Sequence, residues 1–134
     1  GMIIRSAVAA GVDALLYPKR GIASMGPLVI KASAGNVFRA PIVRCKSTAD
    51  AVTALKSRGY QVATLEVAAA TSLFKFKAAD NLVCVLGGES DGLGREVAAL
   101  ADTRLKIPMA NGVESLNVAV TAALVSFHLG RTPD

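Results

Sequence analysis

The residues with the most chemical promise lie between positions 81 and 117. Asn81-Leu82-Val83-Cys84-Val85-Leu86 is an apolar run that stops abruptly at Gly87-Gly88-Glu89-Ser90-Asp91-Gly92-Leu93. A buried strand feeding a site loop has this form, with glycines that turn tightly or admit a ligand to the backbone, and a carboxylate beside them. A second short strand reaches Ile107-Pro108-Met109. A loop follows, and Ser115 is expected to open an apolar-striped helix through Leu116, Asn117 and Val118. In an open α/β sheet these loops converge at the carboxyl ends of the strands, where ligands bind.

Several chemistries are disfavoured at once. No G-x-G-x-x-G follows the apolar run, and Leu93 stands where a phosphate-binding loop needs Lys, so dinucleotide-binding and NTPase sites do not fit. With one His, and with Cys45 and Cys84 lacking ligand spacing, the usual zinc ligand sets cannot be assembled, and no metal is expected. Both cysteines are expected to be buried free thiols in a reducing compartment.

The stretches LGGESDGLG and IPMANGVESLNVAVTAAL resemble motifs 2 and 3 of the SpoU family of RNA ribose 2'-O-methyltransferases, in the SPOUT superfamily. Gly1-Met2-Ile3-Ile4-Arg5-Ser6-Ala7 resembles the tail of motif 1, an Asn-x-Gly leading into an Arg-bearing helix. The resemblance runs essentially from the first residue to the last. It implies a SPOUT α/β knot, with a mainly parallel sheet flanked by helices and a C-terminal helix that threads a loop. It also implies S-adenosyl-L-methionine as cofactor, tRNA or rRNA as substrate, and a homodimer paired through the first and last helices.

By the same resemblance Gly87, Ile107 and Leu116 contact the cofactor through backbone and apolar groups, with Thr64, Leu86, Gly88, Met109 and Ser115 as neighbours. Arg5, Glu89, Ser115 and Asn117 are the expected catalytic set. Arg5 is expected to bind substrate phosphate and stabilise the 2'-alkoxide, because a guanidinium is a poor proton acceptor. Glu89 is expected to order the motif loops. Gly88 replaces a frequent Asn and Ser90 a frequent Gly, so a positive φ at Ser90 would be strained. The competing function is a cofactor- or RNA-binding module of the same fold without activity.

The elements that must hold these residues are short. Residues 2–11 read as a helix with Ile3, Ala7 and Ala10 at helical spacing and Gly11 as its stop. A strand over 14–17 ends at Pro18, before a basic loop of Lys19, Arg20 and Gly21. A helix over 28–34 and a strand over 42–45 follow. Ser47-Thr48-Ala49-Asp50 opens the next helix, with Val52 and Leu55 inward and Gly59 as its end. Strands over 60–65, 82–86 and 104–107 alternate with a loose stretch through Phe74 and Phe76 and a helix over 95–100. The last helix is expected over 115–128, with Leu116, Val120, Ala123, Leu124 and Phe127 on one stripe.

All this fits one α/β domain over residues 1–134. It is expected to be a catalytic domain beginning inside motif 1, with the upstream Asn, its strand and any N-terminal RNA-binding region outside it. Gly1 reads equally as the motif glycine or as a tag scar. Hydrophobic content of 52% and mean hydropathy of +0.46 come without any apolar run near the ~20 residues of a membrane span. A cytoplasmic protein is expected. Net charge +5 favours a polyanionic partner, and Lys19, Arg20, Arg39 and Arg44 could bind RNA phosphates. Aromatic content of 4% argues against a base-stacking platform.

Overall fold

Glycines close the helices where the sequence puts them. Helix α1 (Met2–Ala9) ends in a Schellman motif: Gly11 N–H donates to Val8 O (3.1 Å) and Val12 N–H to Ala7 O (3.0 Å), with Gly11 at φ 71°. The same bonds end α3 (Thr48–Ser57), from Gly59 to Lys56 O and from Tyr60 to Leu55 O. The computed structural model describes residues 1–21, 24–88 and 92–130. Its other α-helices and strands are β1 (Leu15–Pro18), α2 (Pro27–Ala32), β2 (Ile42–Cys45), β3 (Gln61–Leu65), β4 (Thr71–Ser72), β5 (Leu82–Val85), α4 (Arg95–Leu100), β6 (Thr103–Lys106) and α5 (Val118–Leu129).

The chain divides into two units, Gly1–Thr48 with Ala119–Asp134, and Ala49–Val118. In the first, β1 and β2 run parallel, pairing Leu15 with Ile42 and Pro18 with Cys45. Helix α1 buries Ile4 and Ala7, with Ala10 buried at its C-cap, so Ile4 rather than Ile3 carries its inner face. Helix α5 buries Ala122 and Val125, while Val120 (49% exposed), Leu124 and Phe127 (54% exposed) face outward. The apolar stripe anticipated on this helix is therefore its outer face.

In the second unit four parallel strands lie in the order β4-β6-β3-β5. Val52, Val62, Val85 and Val97 form its core cluster, with Ala49, Val83, Leu93 and Leu100 against it. Covering β3 on both sides demands apolar residues on both faces, and Val62, Ala63 and Thr64 are all fully buried. At the amino-terminal end of this sheet, Asp102 Oδ2 accepts Val62 N–H (2.8 Å) and Asp102 Oδ1 accepts from Lys56 Nζ (2.8 Å). Lys56 Nζ also donates to Leu100 O (2.9 Å).

The last helix begins at Val118, three residues after the expected Ser115. Asn111 and Gly112 adopt left-handed φ values of 54° and 74°, and Val113 N–H closes the turn onto Ala110 O (3.2 Å). Beyond the turn, 113–117 stays non-helical and exposed, which keeps Ser115, Leu116 and Asn117 out of the helix. Strand β4 was not anticipated either: two residues are too few to show periodicity, and only pairing with β6 defines them.

Candidate functional site

Register assembles the site. Thr64 pairs with Val85 across β3 and β5, and Leu65 pairs with Leu105 across β3 and β6. All three strands run the same way, so the chain leaves them side by side at residues 66, 86 and 107. Glu66 N–H still donates to Leu105 O (2.8 Å), which carries the ladder one residue past β3. Beyond the ends of β3 and β6 lies a groove of about 520 Å³. Ile107, Pro108, Met109 and Ser115 line it, together with Val67, Lys106, Val113 and Glu114.

Of the expected cofactor neighbours, Ile107, Met109 and Ser115 thus share one groove. Leu86, half-buried, and Gly87 leave β5 at the same sheet edge. Thr64 lies within β3, fully buried, and its hydroxyl donates to Glu66 Oε1 (2.8 Å). It therefore holds Glu66, which also meets Arg104 Nε at 3.7 Å. Leu116 and Asn117 are exposed between Ser115 and α5. Arg5 is exposed on α1 and belongs to the other unit. Glu89 and Ser90, with the expectations placed on them, lie outside the described residues.

The paired glycines have different reasons. A Cβ on Gly87 would lie 2.9 Å from the Gly92 carbonyl carbon, so the loop itself excludes a side chain there. Gly88 exchanges hydrogen bonds with Gly92 (N–H to O, 3.0 and 3.2 Å), yet a Cβ on it would meet none of the described residues within 4 Å. This bridge shuts the base of the loop.

Sequence reasoning missed Val67, Lys106, Val113 and Glu114 as groove residues, and Glu66 as the strut beneath. Their signal was positional, since each flanks a strand end or a motif residue already singled out. The cysteines are half-buried rather than buried. Desolvation pushes the Cys84 thiol up to about 12, and Cys45 Sγ donates to Tyr17 O (3.2 Å).

Known proteins carry the same pattern. The SpoU rRNA methylase family matches residues 1–127. A Staphylococcus aureus protein assigned by name to the TrmH family of tRNA/rRNA methyltransferases is 37% identical over 131 residues, covering 98% of this chain and 53% of its own length. The SpoU methyltransferase AviRb of Streptomyces viridochromogenes, solved in complex with AdoMet, gives a TM-score of 0.85 at 26% identity, over 95% of this chain and 52% of that one. The AdoMet-bound rRNA methyltransferase from Sinorhizobium meliloti gives 0.86 at 28% identity, over 95% and 49%. The chain spans about half the length of these three relatives. Its fold is theirs, an α/β fold with parallel strands flanked by helices, as the sequence implied. With the family pattern matched from Gly1 to Phe127 and the motif loops gathered at one sheet edge, the chain belongs to the SpoU family.

Proposed function

We propose that this chain binds S-adenosyl-L-methionine in the groove at the carboxyl edge of β3, β5 and β6, and belongs to an enzyme that methylates the ribose 2'-hydroxyl of tRNA or rRNA. The observation that carries this reading is the shared register of those strands, which brings both motif loops to one edge. The groove suits a nucleoside: its volume falls within the ~300–1,000 Å³ of small-molecule sites. Val67, Ile107, Met109 and Val113 offer apolar walls for a flat base, and Glu114 and Ser115 offer polar groups for ribose hydroxyls.

When bound, the cofactor supplies a methyl group activated on a sulfonium. The protein then needs mainly to position the attacking hydroxyl and stabilise its developing charge. Ser115 and Asn117, ahead of α5, are assigned to orientation by hydrogen bonding. Arg5 is assigned to a substrate phosphate and the nascent alkoxide, a role its planar fork suits and proton abstraction does not. Glu89 is assigned to ordering the loops. No described helix is long and apolar enough to cross a membrane, and an RNA substrate places the reaction in the cytoplasm.

A homodimer through α1 and α5 belongs to the same proposal, supported by the outward-facing Val120, Leu124 and Phe127 and by Met2, 60% exposed. Sedimentation should then give twice 13.7 kDa, and Phe127→Glu should give a monomer.

Calorimetry with S-adenosylhomocysteine tests the central claim. Saturable binding is expected, with no heat from NAD or ATP. A correctly folded chain that ignores S-adenosylhomocysteine refutes the reading, and binding without methyl transfer in the full-length protein favours an inactive module.

A further inference from the structure

The net charge of +5 is not shared between the two units. The first holds eight Lys and Arg against two Asp and Glu, net +6; the second holds seven against eight, net −1. Within the first, residues 14–48 contain six basic residues and no acidic one. Such segregation is not needed for solubility, which net charge alone provides.

The fold gathers four of these six at one place. Tyr17 pairs with Arg44 and Pro18 with Cys45 in the parallel ladder, and Lys19 N–H donates to Cys45 O (2.9 Å). Lys19 and Lys46 therefore leave the carboxyl edge of β1 and β2 side by side, with Arg20 one residue on and Arg44 two residues back on the same strand. All four side chains are exposed. Like charges held this close repel one another, and that cost is recovered only when a polyanion lies across them.

We propose that the carboxyl edge of β1 and β2, through Lys19, Arg20, Arg44 and Lys46, is a track for the phosphate backbone of RNA. It rests on the RNA-methyltransferase reading above and adds where the nucleic acid is held. Four exposed, flexible or forked cations contact phosphates without reading bases, so the track sets register and affinity rather than sequence choice. The other candidate for the same ligand is Phe74-Lys75-Phe76-Lys77, where Phe74 is 51% exposed after β4. That segment carries half the basic residues and lies in the unit whose net charge is negative.

The two surfaces are separated by matched charge reversals. Lys19→Glu/Lys46→Glu and Lys75→Glu/Lys77→Glu change net charge equally, and each is titrated against a short fluorescein-labelled single-stranded RNA by anisotropy at several salt concentrations. The first pair should weaken binding at least about tenfold and flatten the slope of log K against log salt by about 1.4, two single-strand phosphate contacts. The second should change little. Lys19→Gln/Lys46→Gln, gentler on the fold, should show the same direction, and S-adenosylhomocysteine binding should persist in every variant. Equal losses from both pairs, or none from the first, overturn the track. A wild-type chain that binds S-adenosylhomocysteine but no RNA overturns the track and leaves the cofactor assignment standing. RNA binding that needs Lys19 and Lys46, without cofactor binding, keeps the track and removes the methyltransferase reading.

Discussion

The two ends of the four-stranded sheet follow opposite plans. At the amino-terminal end, Lys56 and Asp102 tie the last turn of α3 and the starts of β3 and β6 together through two side chains and two backbone groups. At the carboxyl end, Glu66 is braced by Thr64, and beyond it the loops stand open around a groove. One end is spent on fixing register so that the other can leave backbone and side-chain groups for a ligand. The difference teaches that stability and binding here are separable by position along the same strands.

The sharpest test of that separation uses a residue of neither end. Arg5→Ala should leave S-adenosylhomocysteine affinity unchanged while methyl transfer, assayed in the full-length protein with its RNA, falls by about two to three orders of magnitude. Equal rates would make Arg5 an ordinary helix-surface residue. Arg5→Lys should rescue little, because an ammonium lacks the planar fork.

Gly87→Ala should break the open end alone. The new methyl must displace the Gly92 backbone, and the expected result is a loss of cofactor affinity of about tenfold or more, ~1.4 kcal/mol. The melting temperature should move little. Gly88→Ala, where no described residue crowds an added methyl, should cost less affinity than Gly87→Ala.

Asp102→Asn should do the reverse, lowering the melting temperature while sparing S-adenosylhomocysteine affinity. The Lys56 hydrogen bond, then the Val62 N–H, holds the Asp102 carboxyl below its ordinary 3.8. A depressed carboxylate stabilises the fold fully above the unfolded-state value and loses that contribution as pH falls through the folded one. The gap in melting temperature between wild type and Asp102→Asn should therefore be constant near neutrality and close below about pH 4. A gap that widens in acid would reverse the sign and discard the staple. The smallest effect concerns Cys84, which desolvation keeps as the thiol. Iodoacetamide should leave it unmodified at mildly alkaline pH until the chain is unfolded.

Local chemistry was legible in the sequence, and long-range chemistry was not. Strand 42–45, helix 95–100 and the stops at Gly11 and Gly59 could be read because apolar period and C-terminal glycine are short-range signals. Gly87, Ile107, Met109 and Ser115 could be singled out because family motifs cluster there. The Lys56–Asp102 contact spans 46 residues, and no local pattern announces it. Ser115 was misread as a helix start because a Ser before an apolar stripe looks the same whether or not the turn at Asn111 and Gly112 delays the helix. For Gly87 the sequence leaves a tight turn and a ligand's approach both open, and only the fold shows that Gly92 of its own loop is the nearest obstacle to a side chain.

Strand order has a consequence for how the molecule is made. β6 is the last of the four strands to leave a ribosome, yet it lies between β4 and β3. A nascent chain that has emerged only through β5 can pair β3 with β5, while β4 has no neighbour and one edge of β3 stays bare. Unpaired edges of this kind invite association with other chains. Stalled or truncated products that stop before Thr103 are therefore the aggregation-prone species. The groove wall over 107–115 follows β6 directly, so ligand competence arrives only once the sheet has closed. A ligand held there rescues complete chains by mass action and cannot rescue the stalled ones.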